Sequence, residues 1–200
     1  MTVVAVVVVV AVVLIGWAAA VVRRLRRSEA TLAASRHLLE TELTRRYAQT
    51  DGLVSAARAA GMDSAVVAPL AGARSLAIGV RDQGLTLGEQ AGSENALSVA
   101  LHRVIIEALH EPKHKNDWTI QRPVLDLQVT EERIAGAARV YNDHAARINV
   151  LVGKVPAGAV ARILGVHRAP LFEATPVALD IADPDEPGVE TVPAGEGAAV

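Results

Sequence analysis

Residues 130–155 read TEERIAGAARVYNDHAARINVLVGKV. The fold turns on whether the YNDH within them, Tyr141 to His144, is a reactive site or a stretch of helix. Ile134, Ala138, Tyr141, Ala145, Ile148, Val152 and Val155 recur at alternating steps of 4 and 3, the spacing of one helical face. Each residue turns about 100°. With Tyr141 on the buried stripe, Asn142, Asp143 and His144 point to about 100°, 200° and 300°. Four neighbours facing four ways cannot converge on one substrate. Tyr141 is then a core residue whose hydroxyl needs a partner, Asp143 faces solvent, and His144 flanks the stripe as a boundary side chain. Asn142 and Asn149 are seven residues apart, on one face, each directly after a stripe residue. Such amides either hydrogen-bond to a neighbouring backbone and fix register, or are boundary groups with no special task. Gly153 and Pro156 close this helix, and Pro123, tolerated in a first turn, is expected to open it.

The same periodicity runs through the rest of the body. From Ser28 to Ala60, Leu32, Leu39, Leu43, Tyr47 and Val54 form one stripe, with Arg36, Glu42, Arg45 and Arg46 among the polar remainder. Gly61 and Asp63 read as a stop and a restart. The second helix carries Val66, Val67, Leu70, Leu76 and Val80 and is expected to kink or begin at Pro69. The glycines of RDQGLTLGEQAGS, residues 81–93, predict a loop. Ser93-Glu94-Asn95 is expected to open a third helix with Leu97, Leu101, Val104, Ile105, Ala108 and Leu109 buried, ended by Pro112. The fold class is therefore all-α, with helices over about 28–60, 63–81, 93–111 and 123–155 in an antiparallel four-helix bundle. Residues 157–174 form a short amphipathic closing segment. Residues 175–200, rich in Pro, Gly, Ala and acid, are expected to be a disordered acidic tail.

Apolar residues make up 51% of the chain, enough for a core, but the bulk is Ala, Val and Leu. The only aromatics are Trp17, Tyr47, Trp118, Tyr141 and Phe172, and small aliphatics suit close-packed helices better than a sandwich of sheets. There is no cysteine, which removes disulfides and thiolate chemistry. The net charge of −2 hides an asymmetry: no basic residue follows Arg168, and the tail holds six acidic ones, leaving the preceding chain at +4. That is too mild for a nucleic-acid footprint.

TVVAVVVVVAVVLIGWAAAVV, Thr2 to Val22, carries no charge. About 20 residues at 1.5 Å each span roughly 30 Å, the hydrocarbon thickness of a bilayer. A cleaved signal peptide would need a basic start and a shorter apolar run. Arg23, Arg24, Arg26 and Arg27 follow at once, so the positive-inside bias puts the N-terminus outside and the body in the cytoplasm. Residues 1–27 are read as a transmembrane anchor with a basic flank, and nothing between Val22 and Ser28 interrupts a helix.

His110-Glu111-Pro112-Lys113-His114 fits H-E-x-x-H, a zinc-hydrolase pattern in which two histidines one turn apart share a metal. Pro112 undermines it, because its ring clashes with the preceding turn and biases Glu111 away from helical angles. No third ligand is evident, and no phosphate loop, nucleophile elbow or dinucleotide fingerprint appears. Metal-dependent hydrolysis is the alternative to a non-catalytic reading, and no cofactor is expected.

The early apolar helix, LTRRYAQTDGLVSAA from Leu43, SENALSVAL from Ser93, TEERIAGAARVYND from Thr130 and VPAGAVARILGVHRAPLFEA from Val155 together resemble the LemA family of bacterial membrane proteins. The order and spacing of these blocks carry the resemblance over nearly the whole chain except the acidic tail. It implies an N-terminal anchor, a small outside N-terminus and a cytoplasmic antiparallel four-helix bundle, and it brings no reaction with it. The positions matching the family's motifs are Asn95, Arg133, Tyr141, Asn142, Asn149 and Pro156. The chain departs from the family in having Ile148, Val155, Leu164, Val166 and Leu171 where aromatics are usual, while keeping Phe172. Pro123 stands where the last helix usually continues. The functional expectation is a scaffold or interaction module at the inner face of a bacterial membrane. It would hold the bilayer through residues 2–22 and contact a protein partner or itself, with no nucleic acid and no small-molecule substrate. A lipid-facing role for Arg23 to Arg27 is a third reading.

Overall fold

A computed structural model of the protein describes residues 1–174, all helix and connecting segments with no strand among them. The stretch 175–200, expected to be disordered, lies outside the described residues.

Helix α1 runs unbroken over Thr2–Ala59, 58 residues, a rod about 87 Å long. The expected boundary between anchor and body near residue 27 therefore leaves no mark on the backbone. Its most apolar 18-residue window has a mean hydropathy of 3.0 and is not buried at all, so by length and composition it can cross a bilayer. Further on, Leu25, Leu39, Leu43, Tyr47, Leu53 and Val54 are buried. The helix closes as its stop signal predicts. Gly61 takes φ 71°, a left-handed conformation that glycine adopts without steric cost. Its N–H reaches the Arg58 carbonyl, and the Met62 N–H reaches that of Ala57, the paired bonds of a Schellman cap.

Helix α2 spans Ser64–Asp82, and the Asp63 side chain caps it by accepting from the Ala65 N–H at 2.9 Å. Pro69 sits inside it rather than at its start. The cap and the burial of Val66, Val67 and Leu70 outweigh the one hydrogen bond a proline removes. Helix α3 spans Leu87–His110, six residues longer at its start than expected, so residues 87–93 are helix and not loop. Thr86 and Glu89 form a reciprocal capping box, which satisfies orphan N–H groups and overrides the glycines at 88 and 92. A single turn, α4, covers Pro112–Lys115.

Helix α5 spans Trp118–Gly153, starting five residues before Pro123. Asp117 sets that start by accepting from the Thr119 N–H at 2.9 Å and the Thr119 hydroxyl at 2.6 Å. Helix α6 is short, Ala157–Ile163, and an extended strap follows to residue 174. Val155, assigned by periodicity to the buried stripe, lies beyond the end of α5 and is 92% exposed. The helix ends two residues too early to carry it inward.

Helix α1 packs along α5, α2 lies against α3 and α1, and α6 rests on both α5 and α1. One core joins Leu39 to Ala57 with α2, α3, α5 and Phe172 of the strap. A second, at the end nearer the apolar run of α1, joins Leu25, Ile148, Ala161 and Val166. Helices α3 and α5 approach closely at few points, because the strap lies in the seam between them. A Cβ at Gly88 would stand 3.1 Å from the Leu171 carbonyl oxygen and 3.3 Å from Pro170, so a side chain there would press the strap back by a few tenths of an ångström.

Candidate functional site

The strap brings most of the sequence-derived motif residues together. Asn149 of α5 accepts from the Ala169 N–H at 2.8 Å and donates to the Ala169 carbonyl at 2.9 Å. Two turns earlier, Asn142 does the same with Phe172, at 2.8 and 2.9 Å. Each amide thus offers one residue of the strap the donor–acceptor pair that a neighbouring strand would offer. The Tyr141 hydroxyl, its ring buried, donates to the Pro170 carbonyl at 2.8 Å; burial pushes that hydroxyl's pKa up. From the other side of the seam Asn95 of α3 donates to the Glu173 carbonyl at 3.4 Å. The two asparagines therefore bond a neighbouring backbone, and YNDH divides as its helical phase predicts: Tyr141 buried, Asp143 exposed, Asn142 and His144 at the boundary.

The remaining motif positions stand apart from this clasp. Arg133 is exposed on α5 and Pro156 caps the start of α6. Arg23, Arg24, Arg26 and Arg27 are exposed on α1, while Leu25 among them is buried.

Beneath the strap lies a cluster of buried charges that the apolar stripes do not reveal. Arg46, placed by its charge on the polar face, is 1% exposed. Its Nη1 donates to Ser98 Oγ at 2.8 Å and to Glu131 at 2.9 Å, and its Nη2 donates to Glu94. The buried Tyr47 hydroxyl also donates to Glu94. One arginine thus ties α1 to α3 and α5. Burial works against its charge, but the Glu131 and Glu94 carboxylates outweigh that, and its pKa stays above the ordinary value. Burial and the facing Glu94 carboxylate also raise the pKa of the Tyr47 hydroxyl. The signal was in the sequence: Arg46, Glu94 and Glu131 each fall in phase with the apolar stripe of their helix, three residues from Leu43, Leu97 and Ile134. Opposite charges in phase on three helices mark a buried cluster.

A cavity of about 10 Å³ adjoins this cluster, lined by Arg46, Ser98, Glu131, Ile134, Ala138, Phe172 and Ala174. Its volume suits roughly one water and no metabolite. Phe172 and Ala174 belong to the strap, so the clasp also roofs the ion cluster.

The H-E-x-x-H residues do not share a helix. His110 ends α3, Glu111 is extended at φ −75° and ψ 118°, and His114 lies in α4. His114 is 2% exposed, whereas His110 is exposed with its Nδ1 2.9 Å from the Ile106 carbonyl. Among the described residues no group of three or more potential ligands could hold a metal.

No curated protein matches the chain. Residues 35–184 match the model of the LemA family, from the first turns of the helical body through the clasp and the strap. With three quarters of its length matched, and with the motif residues engaged as described, the chain belongs to the LemA family.

Proposed function

We propose that this protein is a non-catalytic helical module, held at the cytoplasmic face of a bacterial membrane by residues 2–22, that works through contact with another protein or with a second copy of itself. The observation that carries the reading is the state of its polar groups. Tyr141, Asn142, Asn149, Arg46, Glu94 and Glu131 are all engaged in holding helices and strap together. Among the charged residues exposed along α5 stand four large apolar ones, Trp118, Leu125, Val129 and Val140, 45–65% exposed and on one side of the helix. Such a patch is a contact surface more readily than a reaction site.

An antiparallel four-helix arrangement suits this role. Arg46 pairs with Glu131 while Leu25, earlier in α1, shares a core with Ile148, later in α5, which supports opposite directions for these two helices. The unbroken continuation of α1 from an apolar segment into the body supports the anchor. The four arginines directly after Val22 support a cytoplasmic body.

The test is photo-crosslinking in intact cells from Leu125 and Val129 of the full-length chain. A reproducible adduct, either with another protein or with a second copy, is expected. Capture of nothing reproducible from both positions contradicts the scaffold role. Zinc content addresses the catalytic alternative: stoichiometric zinc lost in the His110→Ala, His114→Ala double variant would favour an enzyme.

A further inference from the structure

We infer that the corner between α5 and α6 is a second membrane contact, a wedge dipping into the headgroup layer of the leaflet that faces the body. The inference rests on the reading of residues 2–22 as a bilayer span. Val21 lies in the last turn of that span, yet it packs against the anchor-proximal core of Leu25, Ile148, Ala161 and Val166, together with Val152 and Val160. The core that the end of α5 and α6 share with α1 therefore begins at the last turn of the span, about 3 Å short of Arg23 along the helix, and runs on past Leu25 to Leu32. If α1 spans the bilayer, this corner meets the interface.

The side chains at the corner fit that place. Val155 is 92% exposed and Ile163 86% exposed. Beyond Met1 and the apolar run of α1 they are the most exposed large apolar side chains among the described residues, and they lie at the two ends of one short loop and helix. An isolated exposed valine needs no explanation, but two such residues at bilayer depth have a ready solvent in the acyl boundary. Between Asp143 and Glu173 there is no acidic residue, whereas Arg147, Lys154, Arg162 and Arg168 fall there. The Arg168 guanidinium reaches within 3.7 Å of where a side chain on Gly153 would stand. With Arg23, Arg24, Arg26 and Arg27 exposed on α1, this end presents cations around two apolar points, the pattern of an interfacial segment on anionic lipid. The long stems of Lys154 and Arg162 can keep their charges at the headgroups while their neighbours enter.

The chain contains no cysteine, so single-cysteine labelling of the full-length protein is clean. Val155→Cys, Ile163→Cys, Val12→Cys and Val99→Cys, each carrying an environment-sensitive fluorophore, are placed in nanodiscs containing anionic lipid. Val12 is in the span, and Val99 is exposed on α3 far along the chain from the corner. The expected result is blue-shifted emission at positions 155 and 163, lost on adding lipids with a shallow nitroxide quencher, with water-like emission at 99. Water-like emission at 155 and 163, with lipid-like emission at 12, overturns the wedge and leaves the anchor standing. Water-like emission at position 12 as well removes the anchor itself. A blue shift at 155 and 163 that the quenching lipids do not reduce means that protein, not lipid, covers the corner, and also overturns the proposal.

Discussion

Asn142 and Asn149 each make two hydrogen bonds to a strap whose residue Phe172 is buried. Truncating Asn142 leaves a buried N–H and carbonyl without partners, a loss of about 1–3 kcal/mol. Asn142→Ala should lower the thermal midpoint and speed hydrogen exchange at the Phe172 amide, and Asn149→Ala at the Ala169 amide, before the helices are affected. Exchange unchanged at those amides would deny the clasp. Asn142→Asp should be no better, because a carboxylate cannot donate to the Phe172 carbonyl. Arg46 is a separate case. Arg46→Met leaves Glu94 and Glu131 buried without their cation, and the loss should be about 3–5 kcal/mol. Replacing all three with apolar residues should recover most of it, read from the same melting curves. Tyr47 adds a pH signature. Its hydroxyl pKa is raised in the folded state by burial and by Glu94, so folding favours the neutral form. That contribution is complete below the ordinary tyrosine value of about 10 and is lost as pH rises beyond it. The wild-type chain should lose stability above that value more steeply than Tyr47→Phe.

At the scale of elements, two helix starts rest on local caps. The Thr86 hydroxyl first, and then its backbone N–H, hold the Glu89 carboxyl below its usual pKa; Thr119 does the same for Asp117. Both carboxyls therefore stabilise their helices above the ordinary carboxylate range and cease to as pH falls through their lowered values. Thr86→Ala should fray residues 87–92, and Asp117→Ala residues 118–122, seen as faster amide exchange confined to those turns. Unchanged exchange would mean that tertiary packing alone holds them. These two starts are also where sequence and structure part company. Periodicity located all four long helices, because stripes such as Leu97 to Ala108 and Ile134 to Ile148 are buried as spaced. It misplaced the starts of α3 and α5 because glycine and proline were weighed above Thr86-x-x-Glu89 and Asp117-x-Thr119, whose capping bonds more than offset a glycine's propensity cost. The strap was legible only as an amphipathic segment. Its partners are side chains of α5 twenty to thirty residues away, and no local pattern encodes that pairing. Tyr141, Asn142 and Asn149 stand out by helical phase, whereas Arg46 is counted by its charge among the polar remainder of α1.

For the whole molecule, the organising feature is that α1 serves two solvents. Up to Trp17 it is apolar and exposed, from Ala18 to Val22 it becomes partly covered, and from Leu25 onward it buries one stripe against α5, α2 and α6. Because the backbone does not break between them, on the proposed reading of residues 2–22 as a bilayer span a tilt of that span would carry the body with it. The direct test is a single-cysteine spin-label scan of α1 from position 8 to position 58 in nanodiscs, comparing accessibility to oxygen with that to a water-soluble nickel complex. Uniformly high oxygen access to about position 17, followed without a gap by a 3.6-residue oscillation with minima at 39, 43, 46 and 50, is the predicted result. Nickel access within the first segment, or loss of helical phase between positions 22 and 30, would contradict the account.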